Sequence, residues 1–349
     1  MAGRIRTGAR RSNLIGGVLA IAIAVRPTAS AQPFDYDRLV TAYATGHLGE
    51  AVSQLSRWPR EPIRNGLDAT VKSGEPRLRA AVMLHTDMAA SCIVSDFSLA
   101  EFHVNAARRL LDALWTRSSP GSSAREFVVR WYEFIPSLFL VVQKLDRAAW
   151  LIQEGMTRSP DSPMLHTYKG IAIELRGPGQ ATVVARGRGL TLAPARAERA
   201  LEPAVQEFRL ALKTDNRFAL ARLHIGRIHA LVEDNRARAD LEQALADATD
   251  ASTQYLAHLF LGDIAEHDKR LADASREYEA AIAVGPMYQT GYVAAARVAD
   301  ALGDSNRARE LALACVSIDN DDEDPWWGYR VGAVNMSMLE WLRLAAQIS

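Results

Sequence analysis

The histidines are the residues of this 349-residue chain best suited to bind a metal or to transfer protons. Seven of them fall singly on predicted helices, without an H-E-x-x-H pair or nearby cysteines: His85, His103, His166, His224, His229, His258 and His267. His224 and His258 lie 34 residues apart and could face neighbouring layers of a repeating fold. A metal site would also need converging carboxylates and partners that orient the ligands. We therefore expect no metal and no cofactor.

Motifs for nucleophilic or phosphate chemistry are missing from the sequence as well. It contains no G-x-S-x-G elbow, no Walker pattern and no complete G-x-G-x-x-G. Carboxylates such as Glu266 and Asp268 are better explained as the solvated face of a helix. We therefore predict that the protein is not an enzyme, and we look instead at the elements that the sequence repeats.

Small and apolar residues recur with a period of 34 in the C-terminal half of the chain. Counting Tyr255 as position 1, they are Leu261 and Gly262 at 7 and 8, Ala274 at 20, Tyr278 at 24, Ala281 at 27 and Pro286 at 32. One period later, counting from Gln289, they are Tyr292 at 4, Ala296 at 8, Ala308 at 20, Ala312 at 24 and Cys315 at 27. Positions 8, 20 and 27 are small where the two helices of one unit cross closely.

The same register extends towards the N-terminus. A unit from Ala219 has Gly226 at position 8, followed by Ala237, Leu241 and Ala244 as its triplet. A unit from Pro163 has Gly170 at position 8, followed by Ala204, Phe208 and Ala211. This second triplet arrives 22 residues late, which predicts an inserted loop over 176–199. The loop is basic and glycine-rich, and it is either disordered or contacts an acidic partner surface.

These positions are the signature of the tetratricopeptide repeat (TPR) family, which the chain resembles. The resemblance implies an all-α fold, a right-handed α-solenoid of TPR-like helix pairs with a C-terminal capping helix. It also implies a non-catalytic scaffold that binds a protein or peptide partner. The alternative is an enzyme whose site lies in the groove of the repeats or in the irregular section between Gly66 and Ala124.

In the TPR family, positions 2, 5, 9, 12 and 13 of the first helix of each pair line a concave groove. Carried onto this chain, they give six candidates for partner binding: Arg227, Asp263, Glu266, His267, Arg297 and Asp300. The lysines and asparagines of the carboxylate-clamp version are absent, so binding of chaperone tails is not implied. Four leucines either form the apolar floor of this groove or pack inside the repeats: Leu220, Leu223, Leu256 and Leu259.

The repeats divide the chain into four segments. We predict a signal peptide over 1–31, degenerate helical repeats over 32–128, a TPR array over 129–322 and a capping helix over 323–349. Asp324 and Pro325 favour a helix start, and the aromatic residues after them either pack on the last repeat or bind a partner. The stretch Asp-Pro-Trp-Trp-Gly-Tyr also looks like the tail of exported bacterial TPR proteins that accompany von Willebrand A-type domain proteins.

The first 31 residues are typical of an export signal. Four arginines precede an apolar run from Leu14 to Val25, and Ala29-Ser30-Ala31 then offers a cleavage site. The run is shorter than the roughly 20 residues of a spanning helix, so we expect cleavage, no stable membrane insertion, and a periplasmic or secreted protein. Cleavage removes five arginines and leaves 36 basic against 41 acidic residues, a formal charge of −5. This balance does not favour nucleic-acid binding.

Overall fold

The computed structural model describes residues 35–55, 59–177, 194–318, 324–331 and 336–346. The predicted signal peptide and most of the predicted loop over 176–199 lie outside these ranges. Within the described ranges, every regular element is a helix. None of these helices combines the length and the hydropathy needed to cross a membrane.

The helices follow one another along the whole described chain. They are α1 (Tyr36–Ala44), α2 (Leu48–Leu55), α3 (Arg60–Thr70), α4 (Glu75–Cys92), α5 (Phe97–Arg117), α6 (Ser123–Val141), α7 (Leu145–Met156), α8 (Pro163–Arg176), α9 (Pro194–Thr214), α10 (Ala219–Leu231), α11 (Ala237–Asp247), α12 (Ala251–His267), α13 (Leu271–Val284), α14 (Gln289–Ala301), α15 (Ser305–Ser317), α16 (Pro325–Val331) and α17 (Met336–Ala345). The sequence pattern did not predict α3, which packs against α1, α4 and α5.

Short polar side chains start many of these helices. Asp250 accepts a hydrogen bond from the backbone N–H of Thr253 at 2.8 Å and thereby caps α12. Asp304 caps α15 in the same way. Such caps satisfy backbone donors that have no partner inside the helix, and each typically stabilises the fold by about 1 kcal/mol.

Sequential helices pack as antiparallel neighbours, and the predicted glycines lie where the two helices of a pair meet. A Cβ atom added to Gly262 would lie 2.5 Å from the ring of Tyr278, the residue at position 24 of the same unit. Gly226 stands in the same relation to Leu241, at 2.7 Å. These distances leave no room for a side chain at position 8 of these two units, so the predicted register is confirmed there.

The helices on either side of the predicted insertion pack against each other, but residues 194–199, which were predicted as part of the loop, belong to α9. α8 and α9 form one of the most extensive contacts in the protein, although 17 residues separate Arg176 from Pro194. A Cβ atom at Gly170 would lie 2.5 Å from Phe208, which is fully buried. The inserted residues therefore leave the crossing of this helix pair intact.

Two apolar clusters form the core. The larger one extends from α1 to α10, and the smaller one extends from α10 to α15. They meet in α10, where Ile225 belongs to the first cluster and Leu223 to the second. A solenoid grows by stacking in this way, since each unit buries its apolar face only against its neighbours.

The C-terminal segment is helical as predicted, and Asp324 contacts α14 of the last repeat, but the two helices of the segment pack on earlier units. α16 contacts α12 and α6, and α17 packs against α6. Leu339 and Leu342 of α17 are fully buried in the larger apolar cluster. Leu313 and Val316 of α15, at the end of the array, are 56% and 78% exposed, and no described residue covers them. The segment thus turns back along the repeats and buries its leucines in the larger cluster.

A buried chain of polar groups joins the first helices. The hydroxyl of Tyr36 lies 2.8 Å from Nε2 of His85, and Nδ1 of His85 lies 2.7 Å from Nδ1 of His103. Both histidines are completely buried. Burial, together with the nearby His103, lowers the pKa of His85 well below its usual value. Burial, with the charge of Arg60, lowers the pKa of His103 to about 3.

Replacing Gly262 by alanine is expected to destabilise the protein by about 1 to 3 kcal/mol, because the new methyl group overlaps the ring of Tyr278. In an exposed helix the same change typically stabilises by up to about 1 kcal/mol, so the sign of the effect is diagnostic. Urea unfolding measures it. The control is Gly74→Ala, since a Cβ atom there meets only ordinary contacts and the loss is limited to that of a helix cap, because Gly74 is the N-cap of α4. A Gly262→Ala variant as stable as this control would contradict the register.

Acidification is expected to destabilise the fold through His85 and His103. Below about pH 6.5 the unfolded chain binds a proton at each histidine, whereas the folded chain keeps both neutral. The free energy of unfolding therefore falls by up to about 1.4 kcal/mol per pH unit and per histidine between about pH 6 and pH 4. Urea unfolding at several pH values measures this effect. The free energy of unfolding should fall less steeply on acidification for His103→Phe than for the wild type.

Candidate functional site

The six predicted binding residues fall into three groups. Arg227 of α10 is buried, with 6% of its surface exposed. Glu266 and Arg297 join α12 to α14 through a two-pronged ion pair, with nitrogen–oxygen distances of 2.8 and 2.6 Å. Asp263, His267 and Asp300 are exposed. We call the last five residues the charged set.

The ion pair within the charged set has a structural role of its own. Partial burial acts to raise the pKa of Glu266, but the hydrogen bonds and charge of Arg297, together with the hydroxyl of Tyr278, lower it. We call the side of the array formed by the first helix of each pair the inner face. Tyr278 also packs against Gly262, so the carboxylate of Glu266 connects the inner face to the helix crossing at Gly262. Glu266 and Arg297 therefore hold two neighbouring repeats in register.

The leucines of the predicted groove pack inside the repeats. Leu223, Leu256 and Leu259 are 0%, 5% and 4% exposed, and all three belong to the smaller apolar cluster. Val293 of α14 is the apolar side chain that is exposed on this face, at 55%. The alternative that assigns the leucines to the core is thus correct for these three, while Leu220 is partly buried against the same cluster.

The inner face of α8, α10 and α12 already holds a segment of this chain. We call residues 324–331 and 336–346 the tail. The hydroxyl of Tyr329 donates to Oε1 of Glu174 at 3.0 Å, across 155 positions of sequence. The same carboxylate lies 2.8 Å from Nδ1 of His224 and accepts from Arg227 at 3.1 Å. Tyr329 therefore completes a cluster of polar groups that Glu174 organises.

The ring of Tyr329 is held on three sides. It stacks on His224 with 4.7 Å between ring centroids and meets Phe260 edge to face at 5.0 Å. The guanidinium of Arg227 lies 4.8 Å from its centroid. Such ring pairs contribute beyond their buried area, and a cation over a ring adds electrostatic attraction. We call Glu174, His224, Arg227 and Phe260 the tyrosine site.

The charges of the tyrosine site are balanced internally. Burial acts to raise the pKa of Glu174, but His224, then Arg227 and the hydroxyl of Tyr329, lower it below its usual value. Burial raises the pKa of Tyr329 well above its usual value, so its hydroxyl stays protonated and can donate. An ionised carboxylate can be buried here because three donors surround it.

The start of the tail is anchored at α14. Asp324 is buried, and its Oδ2 accepts a hydrogen bond from the backbone N–H of Thr290 at 2.7 Å. The hydroxyl of Tyr255 donates to the same oxygen at 3.3 Å. The other oxygen, Oδ1, accepts from the N–H of Trp326 at 2.9 Å and caps α16. One carboxylate thus ties the tail to α12 and α14.

The end of the tail is anchored at α4, near the other end of the protein. Arg343 donates to Oδ1 of Asp87 at 2.9 Å, while the hydroxyl of Tyr43 donates to Oδ2 of the same carboxylate at 2.5 Å. Arg79 donates to the backbone carbonyl of Ala345 at 2.6 Å. The tail therefore crosses the inner face from the last repeats to the first long helix pair.

The charged set lies beside the tail on the same face. Phe260, which contacts Trp326 and Tyr329, precedes Asp263 and His267 by one and two helical turns. On α14, Thr290 contacts the tail. Val293, Arg297 and Asp300 follow Thr290 by about one, two and three helical turns. Within the described residues, the tail therefore covers one end of this face and leaves the charged end of α12 and α14 exposed.

A depression of about 540 Å³ lies between the turn after α5 and the start of α8. Its buried carboxylate, Glu133, accepts hydrogen bonds from Arg130 at 2.8 Å and from Ser162 at 2.5 Å. Within the described residues, no three His, Cys, Asp or Glu side chains converge in a way that could hold a metal ion. The enzyme alternative stays a hypothesis, since neither this depression nor the buried histidine pair offers it an unpaired reactive group at the surface.

Sequence reasoning missed most of the tyrosine site. Glu174 occupies position 12 of the unit from Pro163, which is a groove position, but the groove positions were carried only onto the later units. Phe260, at position 6 of its unit, lies outside the groove positions, and Tyr329 was assigned to a cap. The available signal was the stretch 324–329, where an acidic cap and three aromatic residues follow the last repeat directly. This concentration of aromatic residues predicts that the segment packs against the protein, but it does not predict which helix the segment contacts.

The chain was also compared with known proteins. No protein-family model matches it, and no curated protein matches it either. Among solved structures, it is similar to Pseudomonas aeruginosa PilF, with 16% identity, a TM-score of 0.46, and coverage of 63% of this chain and 90% of that one. It is also similar to YrrB, described as a TPR protein with an unusual peptide-binding site, with 14% identity, a TM-score of 0.34, and coverage of 53% and 82%.

Human IFIT1, solved as a dimer with PPP-AAAA, is similar over 80% of this chain and 68% of that one, with 15% identity and a TM-score of 0.40. At these values the comparisons say nothing about activity. The architecture follows from the chain itself, from its 34-residue period, its sequential helix pairs and its glycine contacts at the crossings. The described chain is an α-solenoid of TPR-like repeats.

Proposed function

We propose that this protein is an exported, non-catalytic scaffold that binds a protein or peptide partner on the open end of its inner face. The observation that carries the proposal is the charged set, which presents exposed groups of both signs on two neighbouring helices. Asp263, His267 and Asp300 are exposed there, beside the exposed side chain of Val293. Charges of both signs around an apolar contact fix the register of a bound segment.

The architecture supports a binding role over a catalytic one. A solenoid offers an extended surface whose shape is set by the stacking of its units. The tail supports the proposal further, because it is a segment of two short helices bound along the same face through rings, hydrogen bonds and an ion pair. A partner segment of similar length would find the same kinds of contact at the open end.

The export part of the proposal is based on the N-terminal sequence. The arginines, the apolar run up to Val25 and the small residues at 29–31 are typical of a cleaved signal, which would place the mature chain in the periplasm or outside the cell. The formal charge of −5 that remains agrees with a protein partner better than with nucleic acid.

Reversing two charges of the open end tests the binding site. The double variant Asp263→Lys, Asp300→Lys is expected to lose at least about tenfold in affinity for the partner, because like charges replace complementary ones. Its stability should change by less than about 1 kcal/mol, since both residues are exposed. Glu266 is left unchanged because it pairs with Arg297. The measurement is quantitative capture from an envelope extract, compared with the wild type.

The control carries the same change of net charge at another place. Glu242→Lys with Glu310→Lys alters exposed residues of α11 and α15, the second helices of their pairs. This control is expected to capture the same partner as the wild type. If both double variants lost the partner equally, net charge would explain the loss, and the proposed position of the site would be wrong.

A further inference from the structure

We infer that the tyrosine site is a recognition site for a tyrosine-bearing peptide segment of a partner, and that the tail occupies it as a displaceable intramolecular ligand. This inference deepens the proposed function by adding a gate to the same inner face. It rests on the contacts of Tyr329 and on the way in which the repeats hold the site.

The tyrosine site is built by the repeats without any help from the tail. Glu174, His224 and Arg227 come from α8 and α10, and they contact one another directly at 2.8 and 3.1 Å. His224 is also stacked on Phe208 of α9, with 5.0 Å between centroids. When Tyr329 leaves, the carboxylate therefore keeps two of its three partners. A preformed site of this kind binds a new ring at little cost of reorganisation.

The chemistry of the site selects a tyrosine over other side chains. The stacked His224 and the edge of Phe260 accept any flat ring, but Oε1 of Glu174 requires a donor at the far end of that ring. Phenylalanine lacks this donor and leaves one acceptor position of the buried carboxylate unfilled. A site that hydrogen-bonds a buried hydroxyl discriminates against an analogue without one.

The tail itself has the properties of a bound peptide. Its helices have 7 and 10 residues, which is too short for helices that are stable alone in water. Its anchors are widely spaced, with Asp324 and Tyr329 at one end and Leu339, Leu342 and Arg343 at the other. The tail must therefore become ordered when it docks, which lowers its net affinity and makes it displaceable.

Tethering explains why the tail holds the site in the isolated protein. A tethered segment acts at an effective concentration on the order of 1 mM, which a free peptide of equal affinity at micromolar concentration cannot match. A partner that contacts Asp263 and Asp300 as well as the tyrosine site gains affinity that the tail lacks. Such a partner can displace the tail, whereas a ligand of the tyrosine site alone cannot.

The test uses a fluorescein-labelled peptide of residues 324–346 and the full chain, with fluorescence anisotropy as the readout. The peptide is expected to bind the Tyr329→Ala protein at least about tenfold more tightly than the wild-type protein, because the weakened tail releases the site. A second peptide, with alanine in place of the tyrosine, should bind the Tyr329→Ala protein at least about tenfold more weakly than the first. The Tyr292→Ala protein, changed at a tyrosine outside the site, should bind like the wild type.

A milder variant keeps the test informative if Tyr329→Ala folds poorly. Tyr329→Phe preserves the ring and removes only the hydrogen bond to Glu174, so it should bind the labelled peptide about threefold to tenfold more tightly than the wild type does. Equal binding by wild type, Tyr329→Phe and Tyr329→Ala would overturn the inference, as would equal binding of the two peptides. Neither result involves Asp263 or Asp300, so failure here is distinct from failure of the proposed partner site.

Discussion

The close approach of helices at position 8 is the constraint on which the other features depend. At Gly170, Gly226 and Gly262 the facing side chain occupies the space that a Cβ atom would need. These contacts set the distance between the helices of a pair and thereby the position of every residue on the inner face. Glu174 follows Gly170 by one helical turn, Arg227 follows Gly226 directly, and Glu266 follows Gly262 by one turn. The polar groups of both sites are thus placed by the glycines beside them.

The tail changes the character of the solenoid. Repeat arrays contact only their neighbours, and their stability is approximately a sum over units and interfaces. Here Leu339 and Leu342 lie in the larger apolar cluster, while Trp326 and Tyr329 pack against the smaller one. One segment therefore joins both clusters and links distant units energetically. The ion pair between Glu266 and Arg297 is also a link between units, but it joins only the two neighbouring repeats that contain α12 and α14.

The sequence predicted the local features of this fold well and the distant ones poorly. The period located the helix pairs, including α8 and α9 across their insertion, because small residues at crossings are a local requirement of packing. It also identified Glu266 and Arg297 as residues of the inner face. It could not place Tyr329, whose partner Glu174 lies 155 positions away, since nothing in a repeat register specifies which distant unit a terminal segment contacts. The same reason explains why Arg227 was expected at the surface, although the tail covers it.

The position of the tail has a consequence for the order of folding during synthesis. Its contacts with α4 span 256 and 266 positions, so the tail leaves the ribosome long after α4. Repeats assemble from local contacts, which form early, whereas contacts of such high sequence separation form late. The nascent array therefore stands with its inner face uncovered until the tail has been synthesised. During that interval, a chaperone meets a surface that the folded protein has closed.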